Sequence, residues 1–279
     1  MLRIVLDSAG DLPEGWQEQF SIDIIPINII HGGKTYLQGV DMNYDDFYRL
    51  VENEGAIPTT SQPTPYQFTE FYRRIADAGD DILSIHITEK LSGTMASARI
   101  AAEELSGEFN IHPFDSASGT LVMGMMAKEA RMMERSGKTI DEIIARLEQI
   151  RKQHRLIFTL DTLKYASLSG RIKHLQAALA SLLKIKPIIE LRNGTLEMCE
   201  KVRSRSQSIE ILLKKMEKEF GDKRLIVGIA YARDKEAGTK LLKEVIERFN
   251  CAEAILGEIS ISLAAHFGPG TLGFTAYPA

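Results

Sequence analysis

Cysteine and tryptophan are scarce in this chain of 279 residues, which has two of the first and one of the second. Cys199 and Cys251 lie far apart, and no His or Cys flanks either at ligand spacing. That excludes a CxxC redox pair and a cysteine-based zinc site, and both are expected to be buried free thiols. Long apolar runs are also lacking. The longest mainly apolar stretches, such as Leu175 to Leu183, fall well short of the roughly 20 residues that a membrane-spanning helix needs. The early run Ile4-Val5-Leu6 is cut at once by Asp7, which is not the pattern of a secretory signal, so a cytoplasmic protein is expected. There is no excess of positive charge. Lys and Arg number 34 against 38 Asp and Glu, a net charge of −4, so the whole molecule has no electrostatic footprint for nucleic acid.

Several signatures are missing as well. No G-x-x-x-x-G-K-[ST] phosphate loop occurs, and no G-x-S-x-G nucleophile elbow. Gly268-Pro269-Gly270-Thr271-Leu272-Gly273 spells G-x-G-x-x-G, but the six residues after Gly273 are too few for the helix that a dinucleotide fingerprint requires. Asn193-Gly194-Thr195 has the form of a glycosylation sequon and reads here as a turn between two strands.

What is present is ordinary globular composition, 44% apolar and 26% charged, long enough for two domains. Short β-rich runs alternate with helical patterns. In the first half the expected strands are Leu2 to Leu6, Ile24 to Ile30 with Lys34 to Leu37 as a hairpin, Ile82 to Ile87, and Asn110 to Phe114. Helices are expected at Glu14 to Phe20, Asn43 to Val51, Thr64 to Ala78, Gly93 to Leu105, Ser118 to Glu134 and Ile140 to Gln153. This alternation predicts an α/β domain over residues 1–153 with a mainly parallel, helix-covered sheet. The pattern restarts over residues 154–279. Strands are expected at Leu156 to Leu160, Ile185 to Leu191, Leu196 to Val202, Leu225 to Tyr231, Glu253 to Glu258 and Thr271 to Ala276. Helices are expected at Ile172 to Leu182, Ser204 to Phe220 and Lys235 to Phe249, giving a second α/β domain with a mixed sheet. Met123, Met125, Met126, Met132 and Met133 suit a flexible apolar ligand, but at helical spacing they read first as core.

Charge is unevenly distributed. Residues 1–55 hold three Lys/Arg against ten Asp/Glu, whereas residues 151–205 hold twelve against four. The basic stretch is either a solvated face or a docking surface for an acidic partner or a phosphate.

Two hydroxyl-rich turns are the main candidates for chemistry. Thr59-Thr60-Ser61-Gln62-Pro63-Thr64-Pro65 precedes one helix, and Leu91-Ser92-Gly93-Thr94 follows a strand and opens another. Both sets can serve as helix caps. They can also bind an anion, because a helix N-terminus offers free N–H groups and partial positive charge, Ser92 and Thr60 offer hydroxyls, and Gly93 admits a ligand to the backbone. In a parallel sheet the second turn sits at the carboxyl end of a strand, where ligands usually bind. A Ser–His–Asp hydrolase could be assembled from Ser92, His266 and Asp115, since such triads are defined by geometry. His31, His86, His112, His154 and His174 are scattered singly and read as structural or exposed, while His266 is set beside the rigid Gly268-Pro269-Gly270.

Read in order, a longer set emerges: Asp7-Ser8-Ala9-Gly10-Asp11-Leu12-Pro13, Thr60-Ser61-Gln62-Pro63, Leu91-Ser92-Gly93-Thr94, Asp115-Ser116, Leu163 with Ser169-Gly170-Arg171, Lys186-Pro187-Ile188, Arg203-Ser204 and His266-Phe267-Gly268-Pro269-Gly270. This set resembles the DegV family of bacterial fatty-acid-binding proteins, which includes the FakB subunits of fatty acid kinase. The resemblance implies two α/β domains, with a long acyl chain in a tunnel and its carboxylate at the interdomain cleft. It implies that Thr60, Ser61, Ser92 and Gly93 bind the carboxylate, that His266 lies beside the head group, and that Arg171 and Arg203 present it to the kinase. It further implies a lipid-binding subunit without catalytic residues, metal or cofactor of its own. The partners it implies are a long-chain fatty acid and the catalytic subunit of a fatty acid kinase, which makes the acyl phosphate; transient contact with a membrane is compatible with this role. The alternative from another class is a Ser92/His266 esterase or thioesterase. A third reading is a module for some other anionic metabolite.

Overall fold

The computed structural model of the chain describes residues 1–173 and 185–279. They divide into two compact units, Met1–Lys152 with Ser260–Ser262, and Gln153–Ile259 with Leu263–Ala279. The fold class is α/β in both.

The first unit runs β1 (Leu2–Asp7), α1 (Trp16–Gln19), β2 (Ile22–Ile25), β3 (Asn28–His31), β4 (Lys34–Leu37), α2 (Tyr44–Asn53), β5 (Thr59–Ser61), α3 (Pro65–Ile75), β6 (Asp81–His86), α4 (Thr94–Glu104), β7 (Asn110–Asp115), α5 (Leu121–Arg135) and α6 (Ile140–Gln153). Its main sheet has the order β2-β1-β6-β7 and is parallel throughout. Ile4, Val5 and Leu6 in β1 and Ile82, Leu83 and Ile85 in β6 are fully buried, the near-continuous apolar burial of strands covered on both faces. Phe68, Phe71 and Tyr72 of α3 and Ala98 and Ala101 of α4 pack with Val5 and Ile82 in one core cluster. α5 lies against β1 and β6, with Met123, Met125 and Met126 buried and Met132 exposed. Gly124 of α5 is where the helix meets the turn after β1, since a methyl group there would overlap the Asp11 carbonyl.

A small antiparallel sheet, β4-β3-β5, completes this unit. The single strand expected over Ile24 to Ile30 is in fact two. Pro26 has no N–H for a ladder and interrupts the run, so β2 joins the parallel sheet and β3 the antiparallel one. The helix expected from Glu14 to Phe20 shortens to α1. The caps follow the sequence closely. Asn43 and Thr64 each form a capping box with the residue three positions on, and Pro65 occupies the first turn of α3.

The second unit runs β8 (Arg155–Thr159), α7 (Lys164–Ser169), β9 (Ile172–Lys173), β10 (Lys186–Arg192), β11 (Thr195–Val202), α8 (Arg205–Phe220), β12 (Leu225–Tyr231), α9 (Lys235–Arg248), β13 (Cys251–Glu258), α10 (Ile261–Phe267, of which the first two residues count with the first unit) and β14 (Leu272–Pro278). The sheet order is β13-β12-β14-β8-β10-β11-β9, mixed, with parallel pairs at each end. Asn193 and Gly194 both have positive φ, as the two-residue turn joining β10 to β11 demands. Leu212, Leu213 and Met216 of α8 and Leu241 and Val245 of α9 pack on Val227, Ile229 and Phe274 of the sheet.

Two expectations change here. Ile172 and Lys173, expected to begin a helix, pair with β11 as a strand. The rest of that expected helix, with His174 and the run Leu175 to Leu183, lies outside the described residues. His266 sits on α10 rather than in a loop. Among the described residues, no helix is long and apolar enough to cross a membrane.

Candidate functional site

The first unit gathers its candidates at the carboxyl ends of β1 and β6. Four residues here come in two adjacent pairs, Asp7-Ser8 at the end of β1 and His86-Ile87 at the end of β6. The Asp7 carboxylate is fully buried and accepts from Ala9 N (2.9 Å), Ile87 N (2.8 Å) and His86 Nδ1 (3.1 Å). A carboxylate of this kind only accepts, so the His86 proton lies on Nδ1. Nε2 meets the Ser84 hydroxyl at 2.7 Å, and Ser84 meets Tyr72 OH at 2.8 Å. Burial pushes the Tyr72 phenol further up, so it stays neutral. The chain Tyr72–Ser84–His86–Asp7 is thus a sealed hydrogen-bond network. It resembles a hydrolytic triad in composition, but its four side chains are fully buried.

The two hydroxyl-rich turns are brought together. The Ser92 hydroxyl lies 2.8 Å from Thr94 Oγ1 and accepts from Thr94 N at the start of α4. The Gln62 side-chain amide fills the space over Gly93, where a Cβ would stand 2.5 Å from Gln62 Nε2. The missing side chain at Gly93 therefore lets Gln62 meet the Ser92-Gly93-Thr94 turn; Thr59 to Ser61, expected as part of a turn, form β5 instead. Thr60 lies on β5, opposite Ile29 of β3, and both Thr60 and Ser61 are half-buried. Asn28 Nδ2 reaches Gln62 O at 3.2 Å and Ser61 Oγ at 3.4 Å. The Gln62–Gly93 contact brings the segment carrying the Thr60 and Ser61 hydroxyls up to the start of α4, where Ser92 and the free helix N–H groups lie, uncharged donors of the kind that suit an anionic oxygen.

In the second unit, Gly268 and Gly270 adopt positive φ and seat the loop after α10. Gly268 is pressed on the Tyr165 ring, and a Cβ at Gly270 would stand 2.8 Å from Asp161 Cβ. The loop is tied further by Thr271 Oγ1 donating to Gly268 O (2.8 Å) and by Arg205 Nη2 donating to Gly270 O (2.6 Å). His266 stands at the end of α10. Burial, with the positive charge of Arg171 adding to it, lowers its pKa to about 4, so the imidazole is neutral near pH 7. Arg171 emerges from α7 just after Gly170, which ends the helix in the left-handed conformation, and it donates to Ser169 O. Arg203 is exposed between β11 and α8.

The basic stretch is partly neutralised where it folds. Arg151, Arg155, Lys186 and Arg192 are ion-paired with Glu148, Glu219, Asp161 and Glu190. Asp115, the acid of the alternative triad, accepts from the backbone N–H groups of Ala117 and Glu89. Cys199 and Cys251 are free but half-buried rather than buried, and burial with the Glu190 hydrogen bond pushes the Cys199 thiol up to about 12. No group of His, Cys, Asp or Glu able to hold a metal ion occurs among the described residues. Asp7, Ser8, Asn28 and Arg205 are the contributors that the sequence reading did not assign. Asp7 and Ser8 head the quoted Asp7-Ser8-Ala9-Gly10-Asp11 run, which is the signal that could have found them.

The model of the family described as "Uncharacterised protein, DegV family" matches residues 1–279. The chain belongs to the DegV family. A DegV domain-containing protein of Listeria monocytogenes is 30% identical to it over 279 residues, spanning 98% of this chain and 97% of the relative. Among solved structures, the fatty-acid-binding DegV family protein from Thermus thermophilus is similar with a TM-score of 0.89 and 33% identity, over 100% of this chain and 99% of its own. A stearic acid-binding protein from Eubacterium ventriosum is similar with a TM-score of 0.89 at 25% identity, over 100% and 98% of the two chains. The DegV likeness thus runs through both units.

Proposed function

We propose that this protein binds a long-chain fatty acid, buries the tail, and presents the carboxylate to a separate kinase subunit that phosphorylates it to an acyl phosphate. The observation that carries the reading is the packing of Gln62, next to Thr60-Ser61, over Gly93 in the turn that follows parallel strand β6. Binding of fatty acid by DegV relatives of high structural similarity supports the choice of ligand.

The reading divides the work by chemistry. Hydroxyls of Thr60, Ser61 and Ser92, with the backbone at Gly93, orient the carboxylate without supplying formal charge. His266 serves the same head group as a neutral imidazole, able to donate a hydrogen bond from one nitrogen. Arg171 and Arg203 answer the extra negative charge that appears when the carboxylate becomes an acyl phosphate. Tail burial supplies most of the affinity, at about 0.8 kcal/mol per methylene. The kinase subunit brings the nucleotide, in keeping with the lack of a phosphate loop in this sequence. Such a carrier works in the cytoplasm and exchanges lipid through transient contact with a membrane. The hydrolase alternative is not favoured, because Thr94 engages Ser92 and backbone amides engage Asp115.

The test is denaturing solvent extraction of the purified protein, with lipid quantified against protein by mass spectrometry. Near-stoichiometric long-chain fatty acid is expected, and acyl phosphate should accumulate once a fatty acid kinase catalytic subunit and ATP are added. Protein that comes away empty and cannot be loaded with fatty acid would overturn the carrier reading.

A further inference from the structure

Asp7, the last residue of β1, and Ser8, which follows it, each begin a hydrogen-bonded path toward one of the two hydroxyl-rich segments. From Asp7 the path to the first turn is short. Its carboxylate holds Ile87 N, the next residue Thr88 has its N–H on Ser118 O, and the Thr88 carbonyl accepts from both Leu91 N and Ser92 N. From Ser8 a second path leads to the other turn. The Ser8 hydroxyl accepts from Ile27 N at 2.8 Å, and the next residue, Asn28, binds Ser61 Oγ and Gln62 O. Side chains alternate across a strand, so two consecutive residues at its end can grip two different segments. Asp7 and Ser8 are both buried, which fixes their geometry against solvent competition.

We propose that Asp7 and Ser8 are positioning residues for the head-group site, Asp7 setting the Ser92-Gly93 turn and Ser8, through Ile27 and Asn28, setting the Thr60-Ser61 turn. The inference rests on the carboxylate-binding reading above. It assigns the buried Tyr72–Ser84–His86 network a purpose, since His86 Nδ1 orients the carboxylate that holds Ile87. Neither Asp7 nor Ser8 touches the ligand in this account. Each sets the spacing between hydroxyls, on which recognition of two carboxylate oxygens depends.

A merely structural role would weaken binding of every ligand alike, so the test compares stearic acid with octadecanol, which has the same chain length and lacks the carboxylate. Dissociation constants for both are measured for the full-length protein and for Ser92→Ala, Asp7→Asn, Ser8→Ala and Asn28→Ala. Asp7→Asn, Ser8→Ala and Asn28→Ala should each reduce the preference for the acid about tenfold while leaving octadecanol within about twofold. The paths also predict a coupling pattern. In the Ser92→Ala background Asp7→Asn should cost little further preference, whereas Ser8→Ala should still cost its full factor. If Asp7→Asn does not fold, Ser8→Ala and Asn28→Ala test the second path by themselves. Loss of preference in Ser92→Ala but not in Asp7→Asn, Ser8→Ala or Asn28→Ala overturns the positioning roles and leaves the carboxylate site standing. An unchanged preference in Ser92→Ala overturns the carboxylate site, and the positioning roles with it.

Discussion

The two units hold their candidate segments by opposite means. In the first, the buried Asp7 and Ser8 side chains accept hydrogen bonds from Ile87 N and Ile27 N, which stand next to the residues that contact the two hydroxyl-rich segments. In the second, two glycines let the loop after α10 press on Tyr165 and Asp161, and a guanidinium ties its carbonyl. The candidate groups differ accordingly: neutral hydroxyls and amides in the first, a neutral imidazole next to arginine charge in the second. Under the proposed function, the uncharged hydroxyl donors belong to the first unit, and the second supplies a neutral imidazole together with the arginines. If the proposed function holds, an anion fixed by neutral dipoles would leave the arginines available for the charge that phosphorylation adds.

The comparison can be broken most severely at Gly268. Alanine there would meet both a left-handed backbone and the Tyr165 ring, and a loss of about 4 kcal/mol is expected in denaturant unfolding. A loss below about 1 kcal/mol would mean the glycine packing does not hold the loop.

Titration of His266 comes next. Its folded pKa of about 4 lies below the ordinary 6.5, so the unfolded chain takes up a proton first as pH falls. Stability from this group is full above pH 6.5 and is lost between 6.5 and 4, by at most about 3 kcal/mol. The stability difference between the wild type and His266→Gln should shrink over that window. A difference flat with pH would remove the neutral imidazole from the account. Adding fatty acid sharpens this test, because a nearby carboxylate raises the His266 pKa, visible by NMR of the ring protons.

Helix capping gives a smaller effect on the hydroxyl side. Thr64→Ala should cost about 1 kcal/mol of stability by loss of the cap of α3. Its binding preference should stay intact, which separates a capping hydroxyl from those proposed to recognise the carboxylate at Thr60 and Ser61. The smallest structural effect belongs to Arg203, which is exposed. Arg203→Ala should change stability by less than about 0.5 kcal/mol and leave lipid bound, yet slow kinase-dependent turnover. Unchanged turnover would remove Arg203 from the presentation surface.

Much of this was legible because it is encoded locally. The caps Asn43 and Thr64, the Asn193-Gly194 turn and the parallel strands with continuous apolar runs follow from residue type and spacing. The hydroxyl-rich segments were also readable as candidates, since each precedes a helix and strand-turn-helix order places Leu91-Ser92-Gly93-Thr94 at a carboxyl end. What was not readable depends on long-range partners. Asp7 holds Ile87 eighty positions away, and nothing near Asp7 announces that. Nor did α10 show itself, because Ile261 to Ala265 are all buried and so lack the apolar-polar period of a surface helix. Pro26 was the readable signal overlooked: it splits an apolar run between two sheets.

The central claim, that the Thr60-Ser61 and Ser92-Gly93 turns hold a fatty-acid carboxylate, is tested most directly by carbon NMR of stearic acid labelled with ¹³C at its carboxyl carbon. Bound to the wild type, the carboxyl signal should be single and displaced from that of the free acid. It should move again in Ser92→Ala and in Thr60→Val while the ligand stays bound. A bound carboxyl resonance that is the same in all three proteins would contradict the account.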